Sequence, residues 1–113
     1  MKTRKEIKEE YRQMKFLMGV FQVKNLSNNI VFIDNSVDVV AKWNRHKTEL
    51  RFGNHKNREL QKDWNEKGED NFVFEVLAEL KQDDRIEVNY PKELKLLQQM
   101  IIDEMNISEQ QKY

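Results

Sequence analysis

The sequence predicts a small α+β domain, a three-stranded antiparallel sheet flanked by helices, and three observations lead there. The chain has 113 residues, which gives room for one hydrophobic core and not two. Three short stretches, at 20–23, 30–33 and 72–77, concentrate β-branched and aromatic residues between turn formers. Elsewhere, apolar residues recur every three or four positions, the period of an amphipathic helix.

Taken in order, Thr3 followed by Glu6 is a capping-box pattern, and Ile7, Tyr11 and Met14 extend it into an opening helix over 1–17. Gly19 is expected to break that helix and introduce a strand through Val20–Val23. The turn residues of 25–29 then lead into a second strand through Ile30–Ile33, so the pair forms a hairpin. Asn35 or Ser36 can cap the next helix, with Val39, Val40, Trp43 and Leu50 on its inner side and Gly53 beyond its end. Asn57 can cap a shorter helix that sets Leu60 and Trp64 on one face and stops at Gly68. Phe72, Phe74 and Val76 alternate with Val73, Glu75 and Leu77, as in a strand buried on both faces. Pro91 opens a last helix with Leu94, Leu97, Ile101 and Met105 as its apolar stripe. A folded unit over 18–106 is expected, followed by a polar, frayed tail over 107–113.

Composition narrows the function classes. Twenty Lys and Arg balance twenty Asp and Glu, so no global field draws the molecule onto nucleic acid or an anionic membrane. The charges are nevertheless sorted along the chain. Lys42, Arg45, Lys47, Arg51, Lys56, Arg58 and Lys62 meet only Glu49 and Glu59, whereas acids dominate 63–87. This is the pattern of a local phosphate-facing surface backed by an acidic side, or of two solvated faces. The absence of cysteine excludes disulfides, thiolate metal sites and cysteine nucleophiles. No apolar run approaches the length of a membrane span and the start is charged throughout, so a cytoplasmic protein with no membrane partner is expected.

Several strings in this order resemble the GIY-YIG nuclease family, which includes the N-terminal nuclease domain of UvrC and certain homing endonucleases. GVFQVKN, from Gly19, is similar to the first motif strand, with Phe21 at its tyrosine, and VFIDNS carries Phe32 and Asp34 at the tyrosine and glycine of the second. AKWNRHKTEL, Ala41 to Leu50, resembles the family helix bearing an arginine and then a histidine, here Lys42 and His46. The segment Gly53 to Leu77 resembles the following loop, short helix and third strand, and the match spans 18–105.

In that family a tyrosine helps activate water, an arginine stabilises charge on phosphate and a last-helix glutamate holds a divalent cation. The resemblance therefore assigns the catalytic positions to Phe21, Phe32, Lys42, His46 and Gln98, mostly substituted. A phenylalanine ring cannot relay a proton, and a neutral amide cannot supply the charge a hard cation requires. Lys42 keeps the charge but loses the planar fork of arginine. Both phenylalanines also read as strand core, Lys42 as a solvated lysine, His46 as a surface or cap histidine, and Gln98 as a side chain at the core's edge with its amide satisfied. Asp34 adds negative charge where phosphate would lie.

The expectation is a GIY-YIG-like domain that has lost efficient hydrolysis and persists as a nucleic-acid-binding or interaction module, with Lys42, Arg45, His46, His55, Lys56 and Arg58 facing DNA. No metal ligand and no cofactor is expected. The alternative is an active endonuclease using Mg²⁺ or Mn²⁺ with Lys42, His46 and a displaced acid, Asp34 or Asp103. A third reading makes the opening helix a protein-docking or homodimer surface.

Overall fold

The computed structural model describes residues 3, 17–82 and 87–113; the opening helix expected over 1–17, and the partner surface placed on it, lie outside the described residues. Strand β1, Gly19–Asn25, pairs antiparallel with both β2, Val31–Ser36, and β3, Phe72–Glu79, giving the sheet order β2-β1-β3. Three helices follow in the chain: α1, Val39–Arg51; α2, Arg58–Lys67; and α3, Tyr90–Met105. The expected α+β architecture is the one observed.

The register divides the sheet into two faces, because directly paired residues point the same way. Phe21 opposes Asp34, and Val23 opposes Phe32 and Phe74, so these side chains share the face that carries α1 and α2. There Phe21 and Val23 pack with Val39 and Leu50 of α1, Leu60 and Trp64 of α2, and Phe72. On the other face α3 meets β2: Gln98 donates to the Ile33 carbonyl oxygen at 3.4 Å and accepts from the Asn35 amide at 2.6 Å.

Local chemistry sets the helix ends. Asn57 accepts from the Leu60 N–H and caps α2, and Gly68, at φ 86°, closes it by donating to the Trp64 carbonyl, as the sequence indicates. Gly53 follows α1 at φ 77°. The cap of α1 is Asp38, not Asn35 or Ser36: its carboxylate accepts from the Ala41 N–H, while the Ser36 hydroxyl accepts from the Asp38 N–H. Helix α1 therefore starts later, and its buried stripe runs through Val39, His46 and Leu50; Val40 is one step off that stripe and exposed. Whether Gly19 ends an opening helix lies outside the described residues. It opens β1, and a Cβ there would lie 2.0 Å from the Ala78 carbonyl oxygen.

Two further expectations change. Strand β3 is a sheet edge, so Val73 and Val76 are exposed, not buried on both faces. A bulge opposite Val20 and Phe21 also shifts the alternation after Val76, since Phe21 pairs with Val76 and Val20 with Ala78. The terminal segment does not fray. Lys112 bridges to Val31 in parallel, and the Tyr113 N–H donates to the Val31 carbonyl. The Tyr113 hydroxyl donates to Asp63 Oδ2 at 2.5 Å and accepts from Asn25 Nδ2 at 2.8 Å. Burial and the Asp63 hydrogen bond push this phenol up to about 12. A polar composition signalled a loose tail; one ring hydroxyl placed between buried Asn25 and half-buried Asp63 secures it.

Candidate functional site

Helix α1 crosses the sheet face bearing Phe32 and Asp34, and the loop 53–57 closes the far side. Between them lies a cleft of about 290 Å³ lined by Phe32, Asp34, Lys42, Arg45, His46, Glu49, His55, Lys56 and Asn57. Lys42, Arg45, His46 and Glu49 come from one helix because they repeat at three- and four-residue spacing. Arg45 pairs with Glu49 at 3.2 Å, and Lys42 Nζ stands 4.0 Å from Asp34 Oδ2.

The inner wall is a chain of hydrogen bonds whose direction can be derived. The Asn57 backbone N–H donates to His55 Nδ1 at 3.0 Å, so that nitrogen carries a lone pair and the proton of the neutral ring is on Nε2. His55 Nε2 lies 2.9 Å from His46 Nδ1, so it donates and His46 Nδ1 accepts. The remaining proton of His46 is then on Nε2, which donates to Asp34 Oδ2 at 2.8 Å. One backbone N–H thus fixes both tautomers and occupies all four imidazole nitrogens inside the protein. A proton added to either ring acceptor would face another N–H.

For His55 the surroundings favour the neutral ring. His55 is 2% exposed, and burial followed by the neighbouring His46 ring pushes its pKa below the ordinary imidazole value. Phe32 stands nearly perpendicular to His46 and His55 at ring separations of 5.1 and 5.6 Å, and Phe21 lies 6.2 Å from His46. Burial raises the pKa of Asp34, but the hydrogen bonds from His46 and the Asn35 N–H, with the charge of Lys42, outweigh it and hold the carboxyl below its usual value.

The residues singled out in the sequence divide accordingly. The structure brings Phe32, Lys42, Arg45, His46, His55 and Lys56 to the cleft. It does not bring Phe21, which is fully buried, or Gln98, which is held by Asn35 and Ile33 and does not line the cleft. Phe21, Lys42 and Gln98 therefore do not share one cavity, because Asp34 and Asn35 point to opposite faces of β2. Arg58 begins α2 outside the cleft lining. His55, expected to contact phosphate, is a buried wall residue.

Asp34, Glu49 and Asn57 complete the lining, and sequence reasoning gave none of them the role it has there. Asp34 was legible as a negative charge, but its bond to His46 was not, since it depends on the approach of α1 to β2.

Two metal arrangements can be tested against these contacts. His46, Glu49 and His55 bring three ligand-type atoms within 4.8 Å of one another. Binding there would require His55 Nε2 or its partner nitrogen to give up the bond just described, and a proton moved to His55 Nδ1 would oppose the Asn57 N–H. The residue set does not suit a metal. Nor does Gln98, whose amide oxygen is neutral and already accepts from Asn35. Asp103, the displaced acid considered on α3, is exposed and accepts from Gln99.

No protein-family model matches the chain. Intron-associated endonuclease 1 of Enterobacteria phage T4 is 37% identical over 64 residues, which cover 55% of this chain and 25% of that protein. The match thus spans about a quarter of that relative's length. A solved catalytic domain of the homing endonuclease I-TevI superposes with a TM-score of 0.68 and 27% identity, covering 85% of this chain and 95% of that one. A variant of the I-TevI catalytic domain gives 0.66 and 26%, covering 80% and 86%. In sequence and fold the chain resembles the nuclease domain of GIY-YIG homing endonucleases. Among the described residues no helix is long and apolar enough to cross a membrane.

Proposed function

We propose that this chain, an endonuclease-like domain with the fold of the I-TevI catalytic domain, binds the DNA backbone at the α1 cleft without hydrolysing it efficiently. One observation carries the reading: the Asn57–His55–His46–Asp34 chain occupies every imidazole nitrogen at the cleft. A general base needs a lone pair directed at the reacting proton, and neither histidine offers one. Phe21 and Phe32 provide no phenol in its place, and Gln98 provides no charge for a cation. Lys42, Arg45 and Lys56 still line the opening and suit phosphate oxygens, which need positive charge more than a particular sequence of bases.

The test uses the purified chain. A supercoiled plasmid incubated with Mg²⁺ or Mn²⁺ stays intact at catalytic protein levels, while a labelled duplex binds with strong salt dependence. Three phosphate contacts give a slope of about −2.7 in log K against log salt, or roughly a fortyfold loss between about 50 and 200 mM. Turnover that a Lys42→Ala variant abolishes would establish the endonuclease alternative. In that case His46 would act with Asp34, the acid the structure places beside it. Binding that is absent or indifferent to salt rejects the DNA reading.

A further inference from the structure

Phe52 ends α1 with 78% of its surface exposed, and among the described residues it is both the most exposed large hydrophobic side chain and the single aromatic in that group. Exposure alone would carry nothing, because isolated apolar residues are common on surfaces. Position makes the difference. At 100° per residue, Lys42, Glu49, Arg45 and Phe52 fall within about 80° of one another around the axis of α1; the first three line the cleft, and Phe52 continues their stripe beyond the lining, at the helix end. Val40, the other strongly exposed apolar residue of the helix, lies on the opposite side by the same count.

The backbone that carries the ring is also held in place. The Phe52 N–H donates to the Thr48 carbonyl at 3.1 Å, and the next residue, Gly53, is fixed at φ 77° with its N–H on the Leu50 carbonyl. Helical backbone on one side and a left-handed turn on the other keep the side chain pointing outward. Behind it, Arg51 is clamped by Glu69 through two hydrogen bonds of 2.7 and 2.9 Å, joining this end of α1 to the short turn before β3. A solvated aromatic ring on the same helix stripe as phosphate-directed cations is the combination that receives an unpaired base, since every base has a π-face and stacking demands no hydrogen-bond match. Bases inside a duplex are already stacked and do not meet it.

We infer that Phe52 is a stacking platform for an unpaired nucleobase, so that the cleft takes single-stranded DNA, or the unpaired part of a junction, in preference to uninterrupted duplex. This rests on the cleft being the backbone site. The strand would run with its phosphates along Lys42, Arg45 and Lys56 and one base on the ring.

The test measures binding of a labelled oligothymidine and of a duplex of equal length by fluorescence anisotropy, for the parent chain and for Phe52→Ala, Phe52→Leu and Phe52→Trp. Thermal unfolding of each variant checks the fold, which an exposed side chain leaves intact. Phe52→Ala weakens single-strand binding by roughly five- to a hundredfold, and Phe52→Trp retains it. Phe52→Leu follows alanine, because an aliphatic side chain of similar bulk has no π-face. The salt slope stays at its parent value, since no phosphate contact is removed, whereas Lys42→Ala lowers it. Equal affinity of the parent and Phe52→Ala for the single strand overturns the stacking role and leaves the backbone reading standing. A parent chain that binds neither strand nor duplex overturns both.

Discussion

Asp34 is the residue on which the site turns. Its carboxylate stands where an anionic ligand of Lys42 and His46 would stand, 4.0 Å from one and 2.8 Å from the other. Two unit charges at that separation interact by about 1 kcal/mol in water, and more where solvent is thinned. Asp34→Asn keeps an oxygen for the His46 N–H and removes the charge. DNA affinity at low salt should rise about fivefold by titration, with the gain shrinking as salt is added. An unchanged or lower affinity would show that the carboxylate does not compete with phosphate. The sequence revealed this charge because an acid at the place of a motif glycine is conspicuous. It gave no sign that the same acid orients a histidine pair, because residues 34, 46 and 55 meet only after three elements pack.

Among the elements, β1 is the most constrained. It is the central strand, and its first residue is pressed against β3 so closely that an added methyl group would meet a backbone oxygen at 2.0 Å. No side-chain rotation relieves a clash between a Cβ and a carbonyl, so the strands would have to part. Gly19→Ala should therefore cost about 3 kcal/mol or more, read as a lower denaturation midpoint with little change in slope. A variant as stable as the parent would contradict the close approach. The helices show the complementary case. Asn57 and Gly68 bound α2 as the sequence indicates, since cap and stop act within a few residues. The sequence pointed to Asn35 or Ser36 as the cap of α1, and the choice of Asp38 follows from Ser36 turning back to the Asp38 backbone. The edge position of β3 was equally hidden, because local alternation does not reveal which strand lies outermost.

At the scale of the whole molecule, the buried polar network couples stability to pH. His55 has a folded pKa below its ordinary value of 6.5, so the unfolded chain takes up that proton first. Its contribution is complete above about pH 6.5 and is lost as pH falls from there through the folded value. Asp34, also lowered, acts in the same sense further down: its contribution is present above the usual 3.8 and lost as pH falls through the folded value. Thermal midpoints should therefore fall in two stages on acidification, the first beginning near neutrality. His55→Gln should remove the first stage and keep the second. A midpoint that stays flat from about pH 7 to pH 5 would contradict the locked neutral histidine.

Local, periodic signals settled a good deal from the sequence alone: the α+β class, the hairpin, α2 and its caps, and the basic middle of the chain. Each of these depends on residue type or on spacing within one element, and both survive in a one-dimensional string. The tertiary structure alone decided that Gln98 serves the far face of β2, that the polar tail is pinned through Tyr113, and that Asn57, His55, His46 and Asp34 form one directed chain. Those outcomes depend on which faces meet and on hydrogen-bond directions passed between elements, and neither is encoded at any single position.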